Sequence, residues 1–327
     1  MAKRTTIEWT QGDDGAAGQT WNPTTGCDRT TPGCDRCYAL TMAKRLKSMG
    51  VAKYQSDGNP KTSGPGFGVA MHEDTLTEPF RWKKPRRVFV NSMSDLFHAD
   101  VTDEFIAKVF AVMAATPQHT YQILTKRHGR MRSLIGGEID GGQRLLEAAD
   151  EETARILYDA PSWPLSNVWL GVSIEDQKRA DLRIPALLET AAAVRFLSCE
   201  PLLGPVRLVS EDHSGHERDW DGDSVCLDCS TSEERVPWRT ADQIPPGIDW
   251  VICGGESGPG ARPLEIQWIT DLIDDARTIA AAPFVKQLGS VWARENKASD
   301  SKGGKPEDWP DNLRVREYPK TAPVESV

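Results

Sequence analysis

The sequence lacks any long hydrophobic run. No apolar stretch reaches the roughly 18 residues that a membrane-spanning helix needs. The first residues, Met1-Ala2-Lys3-Arg4-Thr5, do not form the apolar core of a secretory signal. We therefore expect a cytoplasmic protein that has no membrane partner.

The chain also lacks an excess of positive charge. It has 39 Lys and Arg against 48 Asp and Glu, which gives a formal net charge of −9. A protein that coats nucleic acid non-specifically needs clustered positive charge, so the composition argues against that class. A local basic patch is still compatible with it. Apolar residues are 39% of the 327 residues, which is enough for a large buried core.

Cysteine is scarce and unevenly spaced, with seven residues in all. A chain of this length does not need disulfides for stability, and in a reducing compartment close cysteines more often bind metal than pair with each other. Cys27, Cys34 and Cys37 lie within eleven residues of one another. Gly26 and Gly33 let the chain curl back on itself there. This pattern favours a thiolate-bound metal or cluster.

Short β-type runs alternate with helical patterns, which is typical of parallel βα units. Strands are predicted over residues 19–22, 68–72, 87–91, 121–125, 168–173, 194–199, 250–254 and 284–287. Helices are predicted over residues 103–115, 144–158 and 264–282, the first with Thr102 as its N-cap. The pattern predicts an α/β fold, either a (β/α)8 barrel or a partial TIM-type barrel, formed as one domain over residues 1–327.

Two stretches interrupt this alternation. Residues 205–247 fall between the sixth and seventh predicted strands and contain four residues of the type that bind zinc: His213, His216, Cys226 and Cys229. Two sulfurs and two imidazole nitrogens suit tetrahedral zinc, so we expect a small insertion held by structural zinc. The alternative is a charged loop in which these residues are incidental. The tail, residues 298–327, is polar and is predicted to be loosely ordered.

The cysteine loop resembles that of the radical S-adenosylmethionine superfamily. Cys34-x2-Cys37-Tyr38 matches the second half of that motif, whereas the first gap has six residues in place of the usual three. The chain also resembles a narrower group, the phage gp-thirty-seven/gp-sixty-eight family. The matching segments are Trp21-Asn22-Pro23, the three cysteines with Tyr38-Ala39, and residues 89–98, 124–127, 170–173, 198–202 and 254–257.

The resemblance implies a four-iron cluster on Cys27, Cys34 and Cys37, with S-adenosylmethionine as cofactor and an external electron donor. The reduced cluster would then cleave the cofactor to a 5′-deoxyadenosyl radical. A second interpretation of the same loop is a zinc site of the three cysteines completed by His72 or His98.

Polar residues follow most of the predicted strands at their carboxyl ends, where barrel active sites lie. The candidates for binding S-adenosylmethionine are Asn91, Ser92, Ser94, Asp95, Ser173, Glu175, Glu200 and Glu256. Lys126 and Cys199 are the catalytic candidates, Cys199 as a hydrogen-atom donor. The Gly254-Gly255-Glu256 run is similar to a superfamily motif that follows the second strand, although here it follows the seventh predicted strand.

Two classes of function remain open. The first is an iron–sulfur enzyme that modifies or repairs a substrate, with nucleic acid as a candidate because Lys126, Arg127, Arg130 and Arg132 form a basic stretch on the active-site side. Lys83 and Lys84 precede a strand and are expected on the opposite rim. The second class is a non-enzymatic zinc-binding protein that recognises nucleic acid or a protein partner.

Overall fold

A computed structural model describes residues 5, 7–11, 18–137, 142–209 and 247–320. Its strands are β1 (Gln19–Trp21), β2 (Thr24–Thr25), β3 (Ala70–Met71), β4 (Arg87–Val90), β5 (Thr120–Thr125), β6 (Val168–Ser173), β7 (Val194–Cys199), β8 (Trp250–Gly254) and β9 (Ala282–Gln287). Its helices are α1 (Tyr38–Ser48), α2 (Glu73–Leu76), α3 (Asp103–Ala114), α4 (His128–Ile135), α5 (Gln143–Ala148), α6 (Glu151–Tyr158), α7 (Gln177–Leu188), α8 (Ile266–Thr278) and α9 (Ser290–Glu295).

Seven of the strands form one parallel sheet in the order β1-β4-β5-β6-β7-β8-β9. Each strand lies beside the next strand of the sheet along the chain, so right-handed crossovers place the connecting helices on one face. The sheet curls into a half-barrel, and β1 and β9 do not pair with each other within the described residues. The predicted α/β fold is therefore confirmed, and the curled sheet is compatible with a partial barrel, whereas the described strands do not form a closed eight-stranded barrel.

One predicted strand lies outside this sheet. Of residues 68–72, only β3 is extended, and it pairs antiparallel with β2. This small sheet forms the base of the cysteine loop, where the backbones approach closely: Gly26 has φ +84°, and a Cβ on it would lie 2.1 Å from the carbonyl oxygen of Gly68. Because β2 and β3 are not part of the seven-stranded sheet, β4 is the second strand of that sheet, and β8, which ends at Gly254, is the sixth.

The helix predictions are largely confirmed. α3 begins where Thr102 accepts a hydrogen bond from the backbone N–H of Phe105 at 3.2 Å, as an N-cap does. The helix predicted over residues 144–158 is instead two helices, α5 and α6. The break falls at Asp150, whose carboxylate accepts the N–H of Thr153 at 2.8 Å and starts a new helix.

The two faces of the sheet bury different residues. The convex face packs against α3, α7 and α8 in a core of mostly aliphatic side chains. The concave face carries an aromatic floor made of Trp9, Phe89, Trp169, Phe196, Trp250 and Phe284. Trp250 lies at its centre, with ring centroids of Phe196 and Phe284 at 5.9 and 5.7 Å. The lower half of the half-barrel is therefore filled.

The tail was predicted to be loosely ordered, and for its described part this is wrong. Trp309 and Leu313 are buried in the main core, and Phe284 of β9 forms an antiparallel bridge with Arg316. Burial of these two apolar side chains gives the segment a packing energy that its polar composition hides. No helix within the described ranges is long and apolar enough to cross a membrane.

Candidate functional site

The cysteine loop lies across the carboxyl ends of the strands. The N–H of Gly26 donates to the carbonyl of Met93 after β4 at 3.0 Å. Arg127, after β5, places its Nη2 3.5 Å from the carbonyl oxygen of Asp28, and Arg262, after β8, donates to the carbonyl of Pro32 at 3.0 Å. Gly33 packs on Glu175 after β6. Residues that follow four different strands thus anchor one loop at this edge of the sheet.

The three thiols of the loop are free and differ in electrostatic surroundings. Burial, followed by the nearby carboxylate of Asp95, raises the pKa of Cys27 to about 12. Burial also raises the pKa of Cys37. At Cys34, burial acts in the same direction, but Lys126 and hydrogen bonds from the loop outweigh it and lower the pKa. Cations therefore face the loop from below, since Arg127 Nη2 also lies 3.8 Å from Cys27 Sγ.

The two histidines predicted to complete a zinc site with the three cysteines are bonded to other side chains. Across the described ranges, no three His, Cys, Asp or Glu side chains are placed to hold one metal ion. His72 Nε2 lies 2.8 Å from Thr25 Oγ1, and His98 Nε2 lies 3.1 Å from an Asp28 carboxylate oxygen. Both histidines thus have other partners. An iron–sulfur cluster is larger than an ion and holds its thiolates farther apart.

A polar rim lies above the aromatic floor on the concave face. Side chains alternate along a strand, so residues two and four beyond a floor residue share its face. These rim residues are Lys126, Ser173, Ser198, Glu200 and Lys286. The Nζ of Lys126 donates to Ser173 Oγ at 2.8 Å, and the Nζ of Lys286 lies 2.7 Å from both carboxylate oxygens of Glu200. The rim thus carries one ion pair, Lys286 with Glu200, and one ammonium group that is bonded to a serine hydroxyl.

Two of the three buried carboxylates of the site, Glu175 and Glu256, are held by arginines. Arg183 of α7 donates to Glu175 at 2.9 Å, and the other Glu175 oxygen is buried without a hydrogen-bond partner. Glu256 accepts the N–H and Nε of Arg262 at 2.8 and 3.0 Å. Burial opposes ionisation of Glu256, but Arg262 outweighs it and lowers the pKa. Both oxygens of Glu256 are thus bonded to Arg262, whereas Glu175 Oε1 has no hydrogen-bond partner among the described residues.

The polar stretch after β4 mainly braces the fold. Asn91, in a left-handed conformation with φ 60°, places Oδ1 3.4 Å from the backbone N of Thr24. Ser94 Oγ lies 2.8 Å from Thr24 Oγ1. Asp95 accepts from Thr125 Oγ1 at 2.7 Å and from the N–H of Lys126 at 3.0 Å.

Two side chains of this stretch differ in whether they keep a hydrogen-bond donor for a ligand. Ser92 donates to Asn22 Oδ1 at 3.2 Å. Asn91 is buried, and its Nδ2 has no hydrogen-bond partner among the described residues. Asn91 is therefore the member of this stretch with a donor left for a ligand.

Cys199 faces the wrong side of the sheet for its predicted role. Phe196 and Ser198 lie on the concave side of β7, so Leu197 and Cys199 point to the helices, where both are part of the core. Cys199 is fully buried, and this burial raises the pKa of its thiol to about 12. A hydrogen-atom donor must reach the substrate, so this placement does not support that role.

The basic stretch after β5 does not form an open surface. Arg130 donates to the carbonyl oxygens of His98 and Val101 and pairs with Asp103. Arg132 pairs with Glu189 at 2.7 Å. Both guanidinium groups take part in ion pairs within the fold, and contact of this stretch with nucleic acid stays a prediction.

The sequence did not single out three residues of the candidate site, and it predicted four zinc ligands that lie outside the described residues. Arg183 and Arg262 were not singled out because they lie on a helix and in a loop that follow the strands. Ser198 was named only within the segment 198–202, and the sheet register shows that it lies beside Ser173. His213, His216, Cys226 and Cys229, the predicted zinc ligands, lie outside the described residues.

Comparison with known proteins adds a family and no activity. A search of curated proteins and a search of solved structures find no match for this chain. A family model described as "Protein of unknown function (DUF5131)" matches residues 4–313. Since that match spans nearly the whole sequence and every strand described above, the chain belongs to the DUF5131 family.

Proposed function

We propose that the protein is an iron–sulfur enzyme that cleaves S-adenosylmethionine to a 5′-deoxyadenosyl radical and uses it to modify or repair a substrate. The observation that carries this proposal is the placement of three free thiols, in one loop, over the polar ends of a curled parallel sheet. Active sites of βα barrels lie at this edge. Three thiolates suit a four-iron cluster and would leave one iron for a substrate.

Cations lie beside the loop, although burial raises the pKa of Cys27 and of Cys37. Arg127 contacts Cys27, and Lys126 acts on the thiols of Cys34 and Cys37. Positive charge favours thiolates over thiols and would offset the negative charge of a thiolate-bound cluster. Cys27 and Cys37 also pack beside a small apolar cluster that includes Met93. When bound, the cluster supplies the electron that cleaves the sulfonium.

The chain's own side chains would bind and orient the cofactor. Lys126 suits a carboxylate, because an ammonium forms a charge-assisted hydrogen bond with it. Asn91 has an unpartnered amide donor at the end of β4. Glu200 is paired with Lys286, so a ligand ammonium would have to share or displace that pair. The aromatic floor closes the lower end of the half-barrel and would exclude water from that side.

The test is anaerobic reconstitution with iron and sulfide. Wild-type protein should then turn brown, bind S-adenosylmethionine by calorimetry, and release 5′-deoxyadenosine after reduction with dithionite. Cys34→Ala should lose the iron and the product while its circular dichroism is unchanged, because the barrel core is separate from the loop.

A matched control is Cys253→Ala, at a buried cysteine on the convex side of the sheet. It should keep the iron. Unchanged iron in Cys34→Ala, or no binding of S-adenosylmethionine to the loaded wild type, would overturn the proposal. Colourless protein that retains zinc through the same three cysteines would favour the non-enzymatic alternative instead.

A further inference from the structure

The segment around the cysteine loop is basic in an acidic protein. Residues 28–61 contain seven Lys and Arg and three Asp, whereas the whole chain has a net charge of −9. The segment includes the loop, α1 and the turns that follow. Its charge sets it apart from the rest of the sequence and would attract an anionic partner.

One face of α1 is exposed and combines apolar with cationic side chains. Tyr38, Met42 and Met49 are 56%, 41% and 64% exposed. Arg45 is also exposed and lies between Met42 and Met49 on this face, since residues three or four apart are neighbours on a helix. Large exposed apolar side chains in one stripe are typical of contact surfaces.

The cations near this face are available. Within the described ranges, Lys44, Arg45 and Lys61 are exposed and take part in no ion pair. Lys61 is held beside the cysteine loop because Arg29 donates to its carbonyl oxygen at 3.0 Å. These side chains differ from Arg130 and Arg132, which the fold already uses.

The same face is continuous with the candidate site. The hydroxyl of Tyr38 donates to the carbonyl of Ser92 at the end of β4. Arg36, just before α1, lies 3.6 Å from Glu256 at the end of β8. A ligand lying along α1 would therefore reach the rim of the half-barrel next to the three cysteines.

We infer that the exposed face of α1, with Lys44 and Lys61, is the docking surface for a single-stranded nucleic acid whose base enters the rim. Cations contact the phosphates, Tyr38 offers an aromatic ring on which an unpaired base stacks, and the methionines add apolar contact beside it. Bases within a duplex are not free to stack in this way. The inference rests on the proposed function for the reaction that follows, but not for binding itself.

The test measures fluorescence anisotropy of a labelled 16-nucleotide single-stranded DNA with the full chain, as purified and after anaerobic reconstitution. The double variant Lys44→Glu/Arg45→Glu should weaken binding about tenfold or more. Its dependence of log K on log salt should be shallower by about 1.4, because two phosphate contacts are lost. The matched control, Lys83→Glu/Lys84→Glu, changes the net charge equally on exposed lysines before β4. It should bind within about twofold of wild type.

Two results would overturn the inference: equal loss in both double variants, or no binding by wild type at low salt. Binding to phosphatidylglycerol vesicles but not to the oligonucleotide would assign the face to a membrane and would also overturn it. Failure of the proposed function can be distinguished from failure of this inference. If the oligonucleotide binds through α1 but no 5′-deoxyadenosine forms, the docking surface is supported and the proposed reaction is wrong. If 5′-deoxyadenosine forms but the oligonucleotide does not bind, the reaction is supported and the docking surface is wrong.

Discussion

The lower and upper halves of the concave face are built from the same strands and differ completely in chemistry. Below, Phe196 and Trp250 pack with four other aromatic side chains in tilted and T-shaped contacts. Above, two residues farther along β7, the face turns polar with Ser198 and then Glu200. The floor fixes the curvature and closes the half-barrel, while the rim carries paired charges under the cysteine loop. The residues that stabilise the fold and the residues of the candidate site therefore occupy different positions along the same strands.

Trp250→Ala is expected to have the largest effect on stability. Trp250 is fully buried at the centre of the floor and donates its indole N–H to the carbonyl of Glu317 at 2.9 Å. The variant should lose about 3–5 kcal/mol of unfolding free energy, as for other buried aromatics. Urea unfolding followed by circular dichroism measures it. Tyr158→Ala, at a side chain that is 81% exposed, should stay within about 0.5 kcal/mol. Similar values for both would mean that the floor does not hold the fold.

Arg183→Leu tests whether the buried ion pair of Arg183 with Glu175, at the end of β6, also stabilises the fold. The variant leaves Glu175, which is fully buried, without its 2.9 Å partner. Breaking a buried ion pair in this way should cost about 3 kcal/mol. Arg179→Leu is the control, since Arg179 is 4.0 Å from the same carboxylate and is more exposed. It should cost less than about 1 kcal/mol. If the two variants unfold alike in urea, Glu175 does not depend on Arg183.

How far the sequence predicts this fold depends on the length of each element. The strands at residues 168–173, 194–199 and 250–254 have the predicted bounds, because continuous apolar runs between turns leave little choice. Residues 68–72 were misassigned since a short β-type run does not reveal which sheet it joins. The sheet that this strand joins is decided by tertiary contacts, here the close approach of the backbone at Gly26 and Gly68.

The sequence predicts which residues lie together at the strand ends but not which of their side chains pair, and their role as a functional site stays a prediction. The rule that strand ends carry the site brought the cysteine loop together with Lys126, Glu175 and Glu256. What the sequence could not supply was the partner of each charge. Arg183 lies on a following helix and Arg262 in a loop, so only the folded chain shows that both carboxylates are already paired.

Lys126→Met should weaken binding of S-adenosylmethionine while sparing the floor. Loss of a charged hydrogen bond costs about 1–3 kcal/mol, which is roughly a tenfold to hundredfold change in affinity. Calorimetry on the cluster-loaded protein measures this, with iron content as a check that the cluster is intact. The urea midpoint should barely move, because Lys126 contacts Ser173 at the rim and no floor residue. Lys83→Met is the control and should bind as wild type does. Unchanged affinity in Lys126→Met would remove this residue from the site.

The smallest expected effect is a pH dependence at Glu256. Arg262 and Arg36 lower the pKa of this carboxyl below its ordinary value of 4.5, despite burial. A group whose pKa falls on folding stabilises the protein above the unfolded pKa, and that contribution disappears as pH falls through the folded value. The advantage of wild type over Glu256→Gln should therefore be constant near neutral pH and narrow below about pH 4.5. Urea unfolding at pH 7, 5, 4 and 3.5 measures it.

Glu295→Gln, at an exposed position on α9, is the control and should show no such narrowing. A Glu256→Gln variant whose deficit persists unchanged to pH 3.5 would show that packing, and not charge, holds Arg262 over the cysteine loop. A deficit that narrows as expected ties the ionised carboxylate to the position of that loop. Arg262 also donates to the carbonyl of Pro32, so acid should then loosen the loop before it unfolds the aromatic floor.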